Sequence, residues 1–390
     1  MPSIRFVLRL LLLLAIIPAA AFASVTTGVI KGTTVDGGGL PIPGVSVTIV
    51  SDNMMGQKEL TTGADGRFLF IELPPGKYTL TARADGFTSV QKPNMQVSIG
   101  RNTIITVTMP LLGEGGQEME GGEEMIIEET RSVIDTESGN RGSVLTKEFL
   151  ERIPAGRSYQ SAVQMAAGVT GGANANVAGS AYNENTYLLD GVNITDPVTG
   201  TFSLNFNFDA IEQIEVLTSA FDPEYGVNLG GSINVVTETG GNTFETKTGI
   251  YITNGSWSPK LDGRYAADGM ELAPTDFDSR WERYEVGMKV SGPIVRDKAW
   301  IVTAYQMTRT LIANAGVELP RDFDAHYLIT KLTFQPTSDH RITAFLQSDP
   351  TTIDNVYYGD RFIKPEAQGR QAQGGYVTSL QWDWFISPES

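Results

Sequence analysis

The chain has 390 residues, a net charge of −16 and no cysteine. Lacking cysteine, it has no disulfide, no thiolate nucleophile and no Cys-ligated zinc or iron–sulfur centre. The acidic balance, with no Lys/Arg cluster, disfavours a general nucleic-acid binder. The 42 glycines and 19 prolines predict many turns and argue against a helical bundle.

Arg5 and Arg9 precede an apolar run from Leu10 to Ile17. Pro18 breaks the run, and Ala21-Phe22-Ala23 fits a small-x-small cleavage site. Residues 1–23 therefore read as an export signal, with the mature chain starting at Ser24. No later stretch is long and apolar enough for a spanning helix, so integration into a membrane beyond this point must use β-strands.

From 24 to 112 the pattern is short alternating strands between Gly, Pro and Asp turns. Val25–Lys31, Val45–Ile49, Arg67–Ile71, Tyr78–Ala84 and Ile104–Met109 read as strands. Asp65-Gly66 and Pro74-Pro75-Gly76 read as turns. About seven short strands make a small β-sandwich, in which Tyr78 and Phe87 pack or cap the core. Residues 113–135 follow as an acidic, glycine-rich linker, which glycine keeps flexible and clustered glutamates keep extended. Inside it, Met125, Ile126 and Ile127 form an apolar triplet between acidic flanks. The segment reads either as a plain tether or as a strand able to add to another protein's sheet edge.

Between 136 and 240, helix and strand signals mix. Thr146 caps a short helix carrying Phe149 and Leu150, which Pro154 ends. Ser158 caps a second helix carrying Val163, Met165 and Ala166, stopped by Gly168. Tyr187–Leu189 and Val192–Ile194 are joined by an Asp190-Gly191 turn. Asp209 and Glu212 fit a capping box around one helical turn. Strands follow at Ile214–Leu217 and Ser232–Thr237, and Gly240-Gly241-Asn242 turns the chain onward. This is an α/β globule. Asp190, Asp196, Asp209 and Glu215 have no histidine near them in sequence, and no catalytic or nucleotide-binding motif occurs. No catalytic, cofactor or metal residue is assigned, and the chain is not expected to be an enzyme.

From 241 to 390, Phe244–Thr253, Arg283–Ser291, Trp300–Ile312, His326–Phe334, Arg341–Gln347 and Tyr376–Phe385 alternate at membrane-crossing length. Trp281, Trp300, Tyr305, Tyr327, Trp382 and Trp384 are placed as an aromatic girdle would be. Gly292-Pro293 and Pro336–Asp339 read as short turns, and 255–278 and 349–374 as long loops. Short turns alternating with long loops are the signature of an outer-membrane barrel. Periodicity alone also fits a soluble sandwich.

Several stretches resemble one known family in family order. The words LLDGVNITDP, FDAIEQIEVLTSAFDPEYG and GGSINVVTETG resemble the plug domain of TonB-dependent outer-membrane receptors, in the Oar-like branch. PIPGVSVTIV and TTGADGRFLFIELPPGKYTLTARADGF resemble the carboxypeptidase-regulatory-like, or transthyretin-like, domain that precedes the plug there. That superfamily includes carbohydrate-binding folds, an analogy of fold alone. The resemblance implies a mainly β chain: signal peptide, small β-sandwich, α/β plug, then part of an antiparallel transmembrane β-barrel. It implies TonB-dependent active transport of a solute (a glycan, a peptide or a siderophore-like molecule) across the Gram-negative outer membrane. The partners it implies are a TonB-type periplasmic energising protein, outer-membrane lipid, the barrel assembly machinery and an extracellular ligand. Met125, Ile126 and Ile127 would be the TonB box, and Glu215 the carboxylate that ties plug to barrel arginines. Asn174, Asn176, Tyr182, Asn183, Phe202 and Phe206 would line substrate-facing plug loops. A barrel holding a plug has about 22 strands, so the strands from Phe244 onward are expected to be part of a wall, completed by a longer chain or by a partner. The alternative function is an envelope structural or adhesion protein, binding carbohydrate or protein through the sandwich.

Overall fold

Strict alternation of apolar and polar residues builds the first domain. The computed structural model describes residues 26–54, 56–112, 125–126, 141–153, 156–172, 174–219, 229–257, 280–313, 319–356 and 364–384; the export signal lies outside them. The strands are β1 (Gly28–Val35), β2 (Ser46–Val50), β3 (Gln57–Thr61), β4 (Arg67–Leu73), β5 (Gly76–Arg83), β6 (Val90–Val97) and β7 (Asn102–Thr108). One sheet runs β4-β1-β7, and the other runs β3-β2-β5-β6 and continues to β8 (Met125–Ile126). Ile30, Val47, Ile49, Leu80, Val97 and Val107 fill the space between the sheets. Tyr78 is buried, and its hydroxyl donates to the Pro74 carbonyl at 2.8 Å. Phe87 packs half-buried against the same core. Sequence alternation missed β3 and β6. β3 is polar and carries little burial. β6 carries Pro93 and Asn94, the latter at φ 58°, beside a register shift against β5.

The second domain is a mixed sheet in the order β13-β12-β15-β14-β9. Its members are β9 (Arg141–Thr146), β12 (Thr186–Leu189), β13 (Val192–Asn193), β14 (Ile211–Ser219) and β15 (Ser232–Thr237). A small hairpin, β10 (Val169–Gly171) with β11 (Ala175–Val177), lies beside it. Helix α1 (Lys147–Arg152) begins at Thr146, whose hydroxyl accepts from the Phe149 N–H at 3.4 Å. Helix α2 (Tyr159–Val163) begins at Ser158, whose hydroxyl accepts from the Ser161 N–H at 3.2 Å. Both caps follow the sequence expectation.

The expected capping box at Asp209 does not form. Asn207 caps a single 3-10 turn (Phe208–Ala210) by accepting from the Asp209 N–H at 2.8 Å. Ile211 and Glu212 already belong to β14. The Asp209 carboxylate instead turns toward cations, which outcompete a neutral N–H.

The wall is one antiparallel sheet in the order β16-β17-β18-β19-β20-β23. Its strands are β16 (Glu245–Asn254), β17 (Arg280–Val295), β18 (Ala299–Ala313), β19 (Arg321–Thr337), β20 (His340–Ser348) and β23 (Tyr376–Trp384). β21 (Thr351–Asp354) and β22 (Arg370–Gln373) extend the sheet from the upper part of β19, in a stretch the sequence suggested was loop. β17, β18 and β19 have 16, 15 and 17 residues. A tilted strand needs only roughly 9–11 to cross a bilayer, so these three project beyond it.

Among the described residues β16 and β23 each pair on one side only. The expected turn at Gly292-Pro293 is displaced: both residues belong to β17, and the chain reverses at Asp297, φ 61°. The turn before His340 falls where expected, with Thr337 opposite His340.

Alternation divides the wall into two faces. Ile250, Val286, Met288, Tyr305, Leu332, Leu346, Leu380, Trp382 and Trp384 are exposed on the outside. Glu285, Lys289, Gln306, Thr308, Lys331, Thr333 and Gln347 are buried on the inside, against the second domain. An apolar outside and a polar inside reverse the soluble pattern and match a wall in lipid. Two of the six aromatics assigned to the girdle are buried on the inner face. Trp300 is buried, with its indole N–H donating to Asn242 at 2.9 Å, and Tyr327 is buried beside the second domain. Trp281, Tyr305, Trp382 and Trp384 are exposed. No helix among the described residues is long and apolar enough to cross a membrane.

Candidate functional site

The second domain has its own apolar core, and the wall's Ala304, Ile329 and Phe345 join that cluster. Around this contact the seat is ionic. At the short-turn end, Glu238 follows β15 and takes Lys289 of β17 at 2.5 Å and Lys147 at 2.8 Å. Higher, Asp190 occupies the left-handed turn between β12 and β13 at φ 47°. Its carboxylate accepts from the Thr237 N–H and from the Lys331 ammonium, both at 3.0 Å. The turn aspartate thus ties β12, β15 and wall strand β19 together, beyond the local turn bond that Asp-Gly predicted. Higher still, Arg157 donates to Glu285 at 2.6 Å and to Asp209 at 2.5 Å. Its guanidinium lies 3.9 Å from the Tyr251 ring centre. The Asn205 N–H donates to the Asp349 carboxylate at 2.8 Å.

Above Arg157, on the long-loop side, the domain and the wall leave a cleft of about 240 Å³. Arg157, Arg283 and Arg321 line it, together with Gln160, Asn205 and Gln306. Phe206, Phe323 and Tyr327 supply rings.

At the opposite, short-turn end, the sandwich packs under both other domains. The Ile99 N–H donates to the Gln213 side-chain oxygen at 3.1 Å, and the Gln213 amide donates back to the Val97 carbonyl at 3.2 Å. Arg101 donates to the Gly142 carbonyl at 3.1 Å, and Lys77 pairs with Glu148 at 2.7 Å. Glu148 is held below its ordinary range, chiefly by the Lys77 hydrogen bond. Gly240, at φ 79°, makes the turn from the second domain into the wall, and a Cβ there would meet the Ile301 carbonyl at 3.1 Å.

Glu212 lies at this junction. Burial pushes its carboxyl up to about 7, and the Glu238 carboxylate adds to the push. A carboxyl raised in the folded state stabilises it below its ordinary value of 4.5, and that contribution is lost as pH rises through the folded value. Thermal stability is therefore expected to fall between about pH 5 and about pH 8, and to fall less in Glu212→Gln. Equal slopes in the two proteins would place the dependence elsewhere.

The residues expected to act disperse. Met125 and Ile126 form β8, pairing in parallel with β6, Met125 opposite Val90 and Ile126 opposite Gln91; Ile127 lies outside the described residues. Glu215 is buried on β14 against Gly100 of the sandwich, while Asp190, Asp209 and Glu238 make the ion pairs to the wall. Tyr182, Asn183 and Asn174 are exposed and Asn176 is half-buried.

Phe202 and Phe206 do not present themselves as an open loop surface. Phe206 is buried, stacked on Tyr159 with ring centres 4.5 Å apart, and Phe202 meets the same ring edge-on at 5.3 Å. Aromatic rings at this density bury one another before they serve a ligand. A Cβ at Gly230 would meet Asn185, and one at Gly231 would meet Val177, both of the same domain. The sequence reading missed Arg157, Arg283, Arg321, Lys289 and Lys331. Inward-facing charges on otherwise alternating strands were the available signal.

The family model of the carboxypeptidase regulatory-like domain matches residues 29–110, and that of the TonB-dependent receptor plug domain matches residues 136–232. The chain is 28% identical over 394 residues to the TonB-dependent transporter Oar of Myxococcus xanthus, covering 90% of this chain and 36% of that relative. Among solved structures, it is similar to the outer membrane transporter YddB from Escherichia coli, with a TM-score of 0.48 and 13% identity over 62% of this chain and 36% of the other. It is also similar to the siderophore receptor PirA from Acinetobacter baumannii, with a TM-score of 0.42 and 21% identity over 56% of this chain and 32% of the other. The chain spans about a third of the length of the curated relative, 36%.

Proposed function

From a chain that belongs to the TonB-dependent receptor family and carries its plug behind a carboxypeptidase regulatory-like domain, we propose active transport of a solute across the outer membrane, without covalent chemistry. A TonB-type periplasmic protein supplies the work, and the barrel assembly machinery inserts the wall. The solute binds on the long-loop side and passes when the plug is remodelled. A glycan, a peptide and a siderophore-like molecule all fit this reading.

The observation that carries it is the ionic seat of the plug. Burying the Glu238–Lys289 and Asp190–Lys331 pairs costs about as much desolvation as their attraction returns. A plug seated this way loses little when the pairs part into water, whereas a wholly apolar seat would resist every step of release. The sandwich supports the same reading. It lies at the short-turn end, which faces the periplasm in such barrels, below the plug and away from any extracellular surface.

The test is solute uptake in cells with and without the energising protein. Uptake is expected to need that protein, and uptake unchanged by its loss would overturn the proposal. The linker tests the coupling. β8 already adds as a strand to one sheet edge, which suits the same segment to strand addition on a partner. Ile127→Pro removes a backbone donor. Uptake is expected to fall while the amount in the membrane stays level, and full uptake would place the coupling segment elsewhere.

A further inference from the structure

We propose that the sandwich is a releasable cap on the plug: it separates from the plug's periplasmic face, and water covers that face, before the plug leaves the wall. This rests on the transport reading for the plug's departure only. One face of the plug sheet, carrying Ile214, Val216, Ile233 and Val235, packs into the plug's apolar core. The alternate positions form the other face. There Gln213 lies opposite Val236, Glu215 opposite Asn234 and Leu217 opposite Ser232. The sandwich covers this second face. Gln213 bonds to the backbone of Val97 and Ile99. A Cβ at Gly100 would meet the Glu215 carboxylate at 2.8 Å. Val236 shares a narrow cleft with Pro74 and Pro75.

The covered face is polar. Gln213, Glu215, Ser232 and Asn234 are all 0% exposed. Polar side chains at the centre of a permanently dry contact are costly to bury, and a face that never met water would carry apolar residues there. A face alternately covered and wetted keeps polar groups, as contacts between mobile domains do. The apolar cores agree. Among the described residues the sandwich core and the plug core share no member, whereas Ala304, Ile329 and Phe345 of the wall belong to the plug's cluster. Parting sandwich from plug opens neither core, and parting plug from wall opens one. The first contact is therefore the one that parts first.

A few groups hold the cap in place. Ile99, in the turn between β6 and β7, is fully buried yet lies outside the sandwich core, and Leu217 is buried outside the plug core. Gln213 of β14 bonds in both directions to the strand end and turn that carry Val97 and Ile99. Arg101 of the same turn donates to the Gly142 carbonyl, and Gly142 pairs with Leu217 across β9 and β14. One sandwich turn thus clamps the edge strand of the plug sheet and its neighbour. The Lys77–Glu148 pair is exposed on both sides and contributes little.

The experiment uses the full receptor in the outer membrane and reads maleimide labelling of Val236→Cys, located by mass spectrometry. Val236 is 2% exposed and its cleft encloses about 40 Å³, room for water and not for a maleimide, so labelling needs separation. Ile99→Ala removes an apolar contact of the docked state and no member of the sandwich core, and is expected to speed labelling roughly tenfold or more. A disulfide tests the order of events. A Cβ at Gly241, in the turn between plug and wall, would lie 3.4 Å from the Asp52 Cβ of the sandwich, close to the separation a disulfide needs. Oxidised Asp52→Cys with Gly241→Cys should protect Val236→Cys from labelling and stop energised uptake, and prior reduction should restore both. Labelling no faster in Ile99→Ala with hydrogen exchange showing both domains folded, labelling undiminished by the closed disulfide, or uptake undiminished with the cross-link complete would overturn the proposal. If Ile99→Ala fails to fold, the disulfide decides alone. Labelling needs neither solute nor energiser, so energiser-independent uptake would overturn the transport reading and leave the release of the cap standing.

Discussion

Lys289→Met is expected to loosen the plug from the wall by about 3–5 kcal/mol, because it leaves a buried carboxylate without its main partner. Lys289 is 2% exposed and Glu238 7% on their side chains, and their atoms approach to 2.5 Å. Lys147, 30% exposed, also reaches Glu238 at 2.8 Å, which holds the expected loss toward the lower end of that range. Adding Glu238→Leu to Lys289→Met is expected to recover much of the loss, since the stranded charge is then gone and Lys147 can hydrate. Hydrogen exchange of β15 amides in the membrane-embedded protein reads the effect. The single variant should exchange faster by about two orders of magnitude or more, and the double variant by less. Unchanged exchange in Lys289→Met would mean that this pair does not seat the plug.

Tyr159→Ala is expected to cost the plug about 3–5 kcal/mol of stability, the usual range for truncating a buried aromatic ring. The ring is the hub of an aromatic cluster, with Phe206 stacked on it at 4.5 Å and Phe202 edge-on at 5.3 Å. Truncation removes the ring's burial and both pairings, each worth about 0.5–1.5 kcal/mol beyond area. Tyr159→Phe should behave oppositely. The Tyr159 hydroxyl is buried with no hydrogen-bond partner among the described residues, and burial pushes its pKa well up. Removing an unsatisfied hydroxyl is expected to leave stability unchanged or to raise it by about 1 kcal/mol. Chemical denaturation followed by hydrogen exchange of the plug amides checks both. A Tyr159→Phe protein less stable than the parent would show that the hydroxyl has a partner.

The elements that were legible in the sequence are those specified locally. Thr146 and Ser158 cap their helices as read, because a cap needs only a short side chain and an amide three residues on. Six wall strands cover the segments that alternated, since lipid on one face and the plug on the other impose a period of two, but β17 runs on through Gly292-Pro293 and β21 and β22 form in a stretch read as loop. Asp209 went wrong for a non-local reason: its local bond is weaker than the ion pairs supplied by Arg157 and Lys247, residues distant in sequence. The resemblance put Phe202 and Phe206 on substrate-facing loops, though rings so dense also suit internal packing, and Tyr159, the ring that packs against both, lies more than forty positions earlier. The arginine-lined cleft was invisible for the same reason: its three cations come from the plug, β17 and β19, and only the folded register brings them together.

On the transport reading, solute passes only when the plug leaves its seat in the wall. The native chain has no cysteine, so an introduced pair is the only thiol pair present. The Asn205 backbone N–H lies 2.8 Å from the Asp349 carboxylate, so the plug and the wall meet directly at these two positions. Asn205→Cys with Asp349→Cys would join plug to wall directly. Oxidised cells carrying this pair should take up no solute by the energised route, and reductant should restore uptake. Undiminished uptake with the cross-link complete would show that the plug need not move there, and would contradict the account.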